Sequence, residues 1–352
     1  MNSKSDCDEI YMQRALQLAY CGEGNVSPNP MVGAVIVCDG KIIGEGYHRK
    51  CGEAHAEVNA VASVKDKTLL KRSTMYVTLE PCSHYGKTPP CCNLIKECGI
   101  PRVVIGIKDP FPEVAGRGIR ILQDAGVEVK VGVLEEECRF INRKFITAHT
   151  KKRPYVLLKW CESSDGYIAA LKNGQPAPVQ LSSSLSSVYM HRERSLCDAI
   201  MVGTTTVLVD NPTLTVRGWC GKNPIRVVID REAKLSQESK VFNGESQTLI
   251  FTDLSLTTTD QHYVKIDFSK NIIPQLLNEL YARGVTSLMV EGGAKTLQSF
   301  IDLGVWDEIR REVSPLVIRE GVVAPEISFS KAQISECGDS KIYNLYNINN
   351  LI

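Results

Sequence analysis

No stretch of this 352-residue chain approaches the roughly 18 uninterrupted apolar residues of a membrane-spanning helix. Charge of one sign is also missing, because 41 lysines and arginines are matched by 40 aspartates and glutamates for a formal net charge of +1. Such balance argues against the extended basic surface that nucleic-acid binders set against phosphate backbones, and it favours a small-molecule substrate. Internal repeats and low-complexity tracts are absent too, so the chain is expected to fold throughout. The opening Met1-Asn2-Ser3-Lys4-Ser5-Asp6 leads into an acidic and then amphipathic segment instead of an apolar signal core, and a cytoplasmic location is expected. Cysteine, by contrast, is plentiful. Thirteen is an odd count in a long chain without an export signal, which disfavours a disulfide framework and brings metal binding forward.

The length exceeds what one core usually holds, so two α/β domains are expected, at 1–149 and 150–352. In the first, residues 9–20 carry apolar side chains at helical spacing, and 32–37 and 41–46 are β-rich runs joined by Asp39-Gly40, a strong hairpin signal. A helix over 54–64, strands over 74–79 and 102–107, a helix over 118–125 and a strand over 127–133 continue the alternation up to the charged stretch 143–153. Beyond it, runs at 154–159, 199–202, 225–230, 247–251 and 287–290 read as buried strands, with a helix over 273–283.

Chemistry is densest where His55-Ala56-Glu57 is followed by Pro81-Cys82 and Pro89-Pro90-Cys91. Zinc binds imidazole nitrogen and thiolate sulfur tetrahedrally, and a hydrolytic site needs three protein ligands with the fourth position left for water. His55, Cys82 and Cys91 supply three. Glu57 then moves a proton from that water to departing ammonia, a task that a closed structural zinc site does not contain. A lone H-x-E would be chance; the ordered set is not. Cys92 adjoins Cys91, but consecutive side chains point apart, so the ligand role goes to Cys91. Two competing readings are a nucleic-acid deaminase with an accessory domain, and a zinc-stabilised interaction module with a fourth protein ligand.

The eight residues between the cysteines depart from the common P-C-x-x-C. The segment Thr78-Leu79-Glu80-Pro81-Cys82-Ser83-His84-Tyr85-Gly86-Lys87-Thr88-Pro89-Pro90-Cys91 closely resembles the signature of the RibD-type bifunctional deaminase/reductases of riboflavin biosynthesis. The segment 27–37, and Asp109-Pro110-Phe111-Pro112 with Gly116-Arg117-Gly118, are similar to other deaminase motifs of that family. The resemblance implies a cytidine-deaminase-like three-layer α/β/α domain followed by a dihydrofolate-reductase-like α/β domain. It also implies zinc and NADPH as cofactors, and a diaminopyrimidine with a phosphoribosylamino arm as substrate. Asn29 is expected to bind base or ribose, His84 the ring edge, and Lys87 the phosphate.

In the second half, 159–169 resembles the opening of the family's reductase domain, and 202–217 and 289–296 resemble its later signatures. A strand ending in Glu-Gly-Gly before a helix brings backbone N–H groups close to an anion, so cofactor phosphates are expected at 292–296. The resemblance places Cys161, Gln180, Thr206, Asp210 and Gly293 at the NADPH site, and Arg194, Leu214, Arg217 and Glu291 at the reductase substrate. Where the family often has tryptophan before Ile-Thr, this chain has Gln180-Leu181-Ser182, so Gln180 is a positional stand-in. A homodimer paired through a sheet edge is a further implication of the resemblance.

Overall fold

A computed structural model of the chain describes residues 4–83, 89–110, 115–253 and 262–350. The chain divides into two units, Met1–Lys151 and Lys152–Ile352. The first carries α1 (Lys4–Tyr20), β1 (Gly33–Cys38), β2 (Lys41–Tyr47), α2 (Ala56–Ser63), β3 (Thr74–Leu79), α3 (Cys91–Glu97), β4 (Arg102–Ile107), α4 (Arg117–Asp124), β5 (Glu128–Val131), α5 (Glu135–Ile141) and α6 (Arg143–Lys151). Its sheet has the order β2-β1-β3-β4-β5, with β1 antiparallel to both neighbours and β3, β4 and β5 parallel. Asp39 and Gly40 both take positive φ, 50° and 74°, as the tight turn between β1 and β2 demands.

Strand period 2 sorts the apolar residues of this sheet into two cores. Ala34, Ile36, Met75, Val77, Val103 and Ile105 pack with α2, α3 and α4 on one face. Val35, Val37, Tyr76 and Val104 pack with α1, α5 and Ile146 of α6 on the other. The result is the three-layer α/β/α arrangement. The charged stretch after residue 142 is helical, since α6 buries Ile146, Thr147 and Ala148.

The second unit comprises β6 (Tyr155–Glu162), β7 (Tyr167–Lys172), β8 (Gln175–Ala177), α7 (Ser184–Ser195), β9 (Ala199–Gly203), α8 (Thr204–Asp210), β10 (Ile225–Ile229), β11 (Thr248–Thr252), β12 (Tyr263–Lys265), α9 (Ile272–Ala282), β13 (Ser287–Gly292), α10 (Ala294–Asp302), β14 (Glu308–Val313), β15 (Gly321–Val323), β16 (Gln333–Cys337) and β17 (Ser340–Tyr346). Nine strands form one sheet in the order β12-β11-β10-β9-β13-β6-β14-β17-β16, parallel up to β14 and antiparallel after it. Ala199 and Met201 of β9 face one core and Ile200 and Val202 the other, so the central strands are covered on both sides. A three-stranded sheet, β15-β7-β8, completes the unit.

One buried carboxylate ties the first unit together. Asp8 of α1 accepts from Arg102 Nη1 (2.9 Å) and Nη2 (3.0 Å), from Lys130 Nζ (2.8 Å) and from Tyr76 Oη (3.0 Å), so it joins α1 to β3, β4 and β5. Burial alone would raise its pKa, but Arg102, Lys130 and Tyr76 hold it at about 2, below the ordinary 3.8. A depressed carboxyl stabilises the fold above its ordinary value and loses that contribution as pH falls through the folded one. Asp8→Asn should therefore lower the stability of the first unit by about 3 kcal/mol at neutral pH, the scale of a broken buried ion pair. Urea unfolding at several pH values checks this: the gap to wild type should shrink below pH 4, and equal midpoints at pH 7 would sink the idea.

Candidate active sites

In the first unit three helix starts and strand ends converge. His55 is the N-cap of α2, Cys82 follows β3, and Cys91 is the first residue of α3 after Pro90, whose φ of −58° suits a helix entry. His55 Nδ1 lies 3.6 Å from Cys82 Sγ and 3.4 Å from Cys91 Sγ. Tetrahedral zinc with bonds of about 2.3 Å to sulfur and about 2.0 Å to nitrogen would separate those atoms by about 3.5 Å. The donor set therefore fits zinc in chemistry and in spacing. Among the described residues the three-residue group able to hold a metal is His55, Cys82 and Cys91, with ligand atoms within 4.8 Å of one another. Cys92 is buried beside it and its sulfur lies 4.0 Å from Asn93 Oδ1, outside the group.

The two thiols divide their roles. Contact with Cys91 and His55 holds Cys82 toward the thiolate against the cost of burial, and the Cys91 backbone N–H donates to its sulfur at 3.3 Å. Cys91 is pushed up by that neighbouring thiolate and by burial. Glu57, in the first turn of α2, is 3 % exposed. Burial first, and the Cys82 thiolate second, push its carboxyl up to about 7, the range in which a group can both take and give a proton at neutral pH.

Asn29 reaches this cluster through a residue that motif reading passed over. Asn29 Nδ2 is 3.1 Å from His48 Nε2, His48 Nδ1 is 3.1 Å from the Ala54 carbonyl, and the His48 and His55 rings meet edge-on at 5.6 Å. With the Nδ1 proton donated to Ala54, the other ring nitrogen accepts from Asn29. Burial, then the nearby His55, lower the His48 pKa and keep that neutral form. Asn142 holds the segment carrying Asn29, accepting from Met31 N at 2.8 Å and donating to Met31 O at 3.0 Å. His84 and Lys87 lie outside the described residues.

The second unit contains a cleft of about 1160 Å³. Cys161, Gln180, Thr206, Asp210 and Gly293 all line it, as do Arg194 and Glu291. Gly293 is the N-cap of α10 and contributes no side-chain cap, which leaves the first N–H donors of that helix for an anion. That uncapped start, with Lys295 and Thr296 beside it, fits the phosphates of a dinucleotide. Burial pushes Asp210 up, and burial with the nearby Glu312 pushes the Cys161 thiol to about 11, so Cys161 is a neutral wall of the cleft. Gln180 donates to Ser182 O at 2.7 Å and offers no aromatic face.

Arg194 and Glu291 form a two-pronged ion pair, Nε to Oε1 at 2.7 Å and Nη2 to Oε2 at 2.6 Å. Burial opposes both charged forms, yet each partner overcomes it for the other, raising Arg194 and lowering Glu291. Leu214 and Arg217 do not join them as lining. Leu214 is 2 % exposed in a core under α8, while Arg217 is exposed and donates to Thr213 Oγ1 at 2.5 Å. Their link to the cleft runs through α7: Arg194 Nη1 donates to Thr215 O at 3.3 Å, and His191 Nδ1 accepts from Arg217 N at 3.3 Å. His191 stands three residues before Arg194 on the helix, a spacing that could have drawn attention to it.

Fold and sites together define a zinc-dependent deaminase joined to an NADPH-dependent reductase of dihydrofolate-reductase-like fold. Residues 5–107 match the zinc-binding region of the cytidine and deoxycytidylate deaminases, and residues 154–346 match the RibD C-terminal domain. The riboflavin biosynthesis protein RibD of Aquifex aeolicus is 38% identical over 97% of this chain and 96% of its own length. That of Escherichia coli is 35% identical over 88% of each. A Thermotoga maritima crystal structure, described as a diaminohydroxyphosphoribosylaminopyrimidine deaminase/5-amino-6-(5-phosphoribosylamino)uracil reductase, superposes with a TM-score of 0.86 at 38% identity, covering 97% of this chain and 99% of that one. The chain belongs to the RibD family of bifunctional deaminase/reductases of riboflavin biosynthesis.

Metal analysis of purified variants tests the ligand set. Wild type and Cys92→Ser should each retain about one zinc per chain, whereas His55→Ala and Cys82→Ser should retain almost none. Zinc lost with Cys92→Ser and kept with Cys82→Ser would reverse the assignment.

Proposed function

We propose that the first unit removes an exocyclic amine from 2,5-diamino-6-(5-phosphoribosylamino)pyrimidin-4-one, and that the second then reduces the ribosyl arm to ribityl. The reactions are assigned to residues 1–149 and 150–352 respectively. Glu57 carries the reading: it is a buried carboxyl poised near neutrality beside three metal-binding donors, and a closed structural zinc site has no use for one. Zinc, held by His55, Cys82 and Cys91, supplies the Lewis acidity that brings water toward ionisation near neutral pH. Glu57 takes the proton from the attacking water and delivers it to the amine, which leaves as ammonia while the ring carbon keeps the oxygen. Asn29, oriented by His48, contacts base or ribose; His84 and Lys87 take the ring edge and phosphate.

In the reductase, Cys161, Gln180, Thr206, Asp210 and Gly293 hold NADPH, which supplies the hydride to the ribose carbon. Arg194, Arg217 and Glu291 present the substrate, whereas Leu214, buried in the core under α8, does not reach it. Arg217 serves as the phosphate anchor, and the Arg194–Glu291 pair as a rigid wall that orients the sugar. Thirteen free cysteines suit a reducing cytoplasm. Strand β16, paired on one side alone among the described residues and with Ile334 63% exposed, offers an edge to a second copy.

Separate assays on the two half-reactions test the division of labour. Glu57→Gln should lose ammonia release by about 10³-fold or more, a large share of what positioned acid–base catalysis provides, and still oxidise NADPH with deaminated substrate. Arg217→Ala should do the reverse, chiefly by raising KM. Loss of both activities in either variant, with the fold intact, would contradict two independent sites.

A further inference from the structure

Glu80 follows β3 and stands two residues before Cys82. Its backbone N–H donates to Ile107 O at 2.9 Å and so extends the β3–β4 ladder by one step. Its side chain is buried, 4 % of the residue being exposed, and it is surrounded by donors. Oε2 accepts from the backbone N–H of Asp109 at 3.1 Å and of Gly116 at 2.9 Å. Oε1 accepts from Gly118 N at 3.0 Å and Ile119 N at 3.3 Å. Gly116 is the N-cap of α4 and has no capping side chain, so Glu80 caps this helix from another element.

The same helix start presses on the turn that carries the ligand. A Cβ at Gly118 would stand 2.2 Å from the Pro81 carbonyl oxygen, so that contact admits glycine alone. On its other flank, Cys92 N donates to Cys82 O at 3.3 Å and Cys91 N to Cys82 Sγ at 3.3 Å. The turn 80–82 is thus gripped between the starts of α4 and α3. Asp109 and the Gly116-Arg117-Gly118 segment, which have no role in the chemistry above, supply the donors and the close contact for this grip.

We propose that Glu80 is a positioning residue of the deaminase centre, clamping Asp109 and the start of α4 to the turn 80–82 and thereby fixing where Cys82 Sγ stands relative to His55 and Cys91. Glu80 acts through the backbone and touches neither substrate nor metal. An amide at this position keeps the shape but must turn N–H groups toward N–H groups, releasing part of the clamp. The proposal rests on Cys82 being a metal ligand.

The test uses full-length Glu80→Gln and Gly118→Ala, the second keeping Glu80 while displacing the Pro81 carbonyl, with the new Cβ also 3.3 Å from Glu80 Oε1. Zinc affinity is measured by competition with a chromophoric chelator, and the cobalt-substituted protein gives a cobalt–thiolate absorption spectrum. NADPH oxidation with deaminated substrate serves as the control for an intact second unit. Both variants should bind zinc about tenfold or more weakly, the lower end of what groups supporting a metal ligand contribute, with a shifted cobalt spectrum and normal NADPH oxidation. Wild-type affinity and spectrum with only a lowered melting temperature would mean that Glu80 merely caps α4, and the proposal falls. Should Glu80→Gln fail to fold, Gly118→Ala decides by the same criteria. Cys82→Ser separates the two assignments: if it binds zinc like wild type, the ligand assignment beneath the proposal is wrong. If it loses zinc while the other two bind normally, the clamp alone is refuted.

Discussion

A helix that begins at the end of a β-strand or a loop leaves its first backbone N–H groups without partners, and in both units the candidate site is laid on such groups. His55 caps α2, Cys91 opens α3, and Gly293 precedes α10. The positive end of each helix favours negative charge nearby, whether thiolate or phosphate. Cys82 shows this directly, because its sulfur accepts the Cys91 N–H at the start of α3. The parallel strands matter because they deliver several such starts to one edge of each sheet. Once the strand order of the first unit is set, His55, Cys82 and Cys91 meet although 36 residues separate the outer two.

Buried carboxyl groups then acquire different chemistry according to what faces them. Asp8 and Glu291 meet guanidinium groups and stay ionised in spite of burial. Glu80 meets four backbone N–H groups and becomes a structural joint. Among the described residues, Glu57 meets its own backbone N–H and the Cys91 thiol as donors and faces a thiolate as well, so burial prevails and its proton is held to near neutral pH. The same functional group serves as tie, clamp or proton carrier because desolvation is compensated to different extents.

Local patterns were legible in the sequence wherever the signal was short-range. The Asp39-Gly40 turn and the alternating cores of β1 and β3 depend on spacings of a few residues, and the metal set is read from short segments, His55-Ala56-Glu57, Pro81-Cys82 and Pro89-Pro90-Cys91, that folding then brings together. Strand β14 was not legible, because Glu308, Arg310, Arg311 and Glu312 leave little apolar alternation in Glu308–Val313. Its charges find partners only after folding: Tyr155 Oη donates to Glu308, Ser182 to Glu312, and Arg311 lies over the rings of Phe329 and Tyr343. The helix α6 was hidden by charge in the same way, and the fifth strand of the first unit stops at Val131, before Gly132 with its φ of 90°. His48 stands outside the motifs, and Glu80 lies inside the 78–91 signature with no role legible there, since what it does is decided by backbone groups brought in from other elements.

The arginines of the reductase show why membership of one motif does not settle a role. Arg194 lies in the cleft, yet three of its donor nitrogens are committed, two to Glu291 and one to Thr215. Bringing it to a phosphate would mean breaking a buried ion pair and leaving Glu291 uncompensated. Arg217 carries five N–H donors, and among the described residues its guanidinium meets Thr213, through Nη1. Its guanidinium is exposed, so it can meet a phosphate without abandoning a buried partner. His191 fixes the backbone of Arg217 from below, and burial together with Arg194 and Arg217 keeps that imidazole neutral, the form that can accept the Arg217 N–H. On the proposed reading, anchoring and orienting are divided between two arginines, one exposed and one locked in an ion pair, and the helix carrying His191 and Arg194 touches the backbone of the first and carries the second.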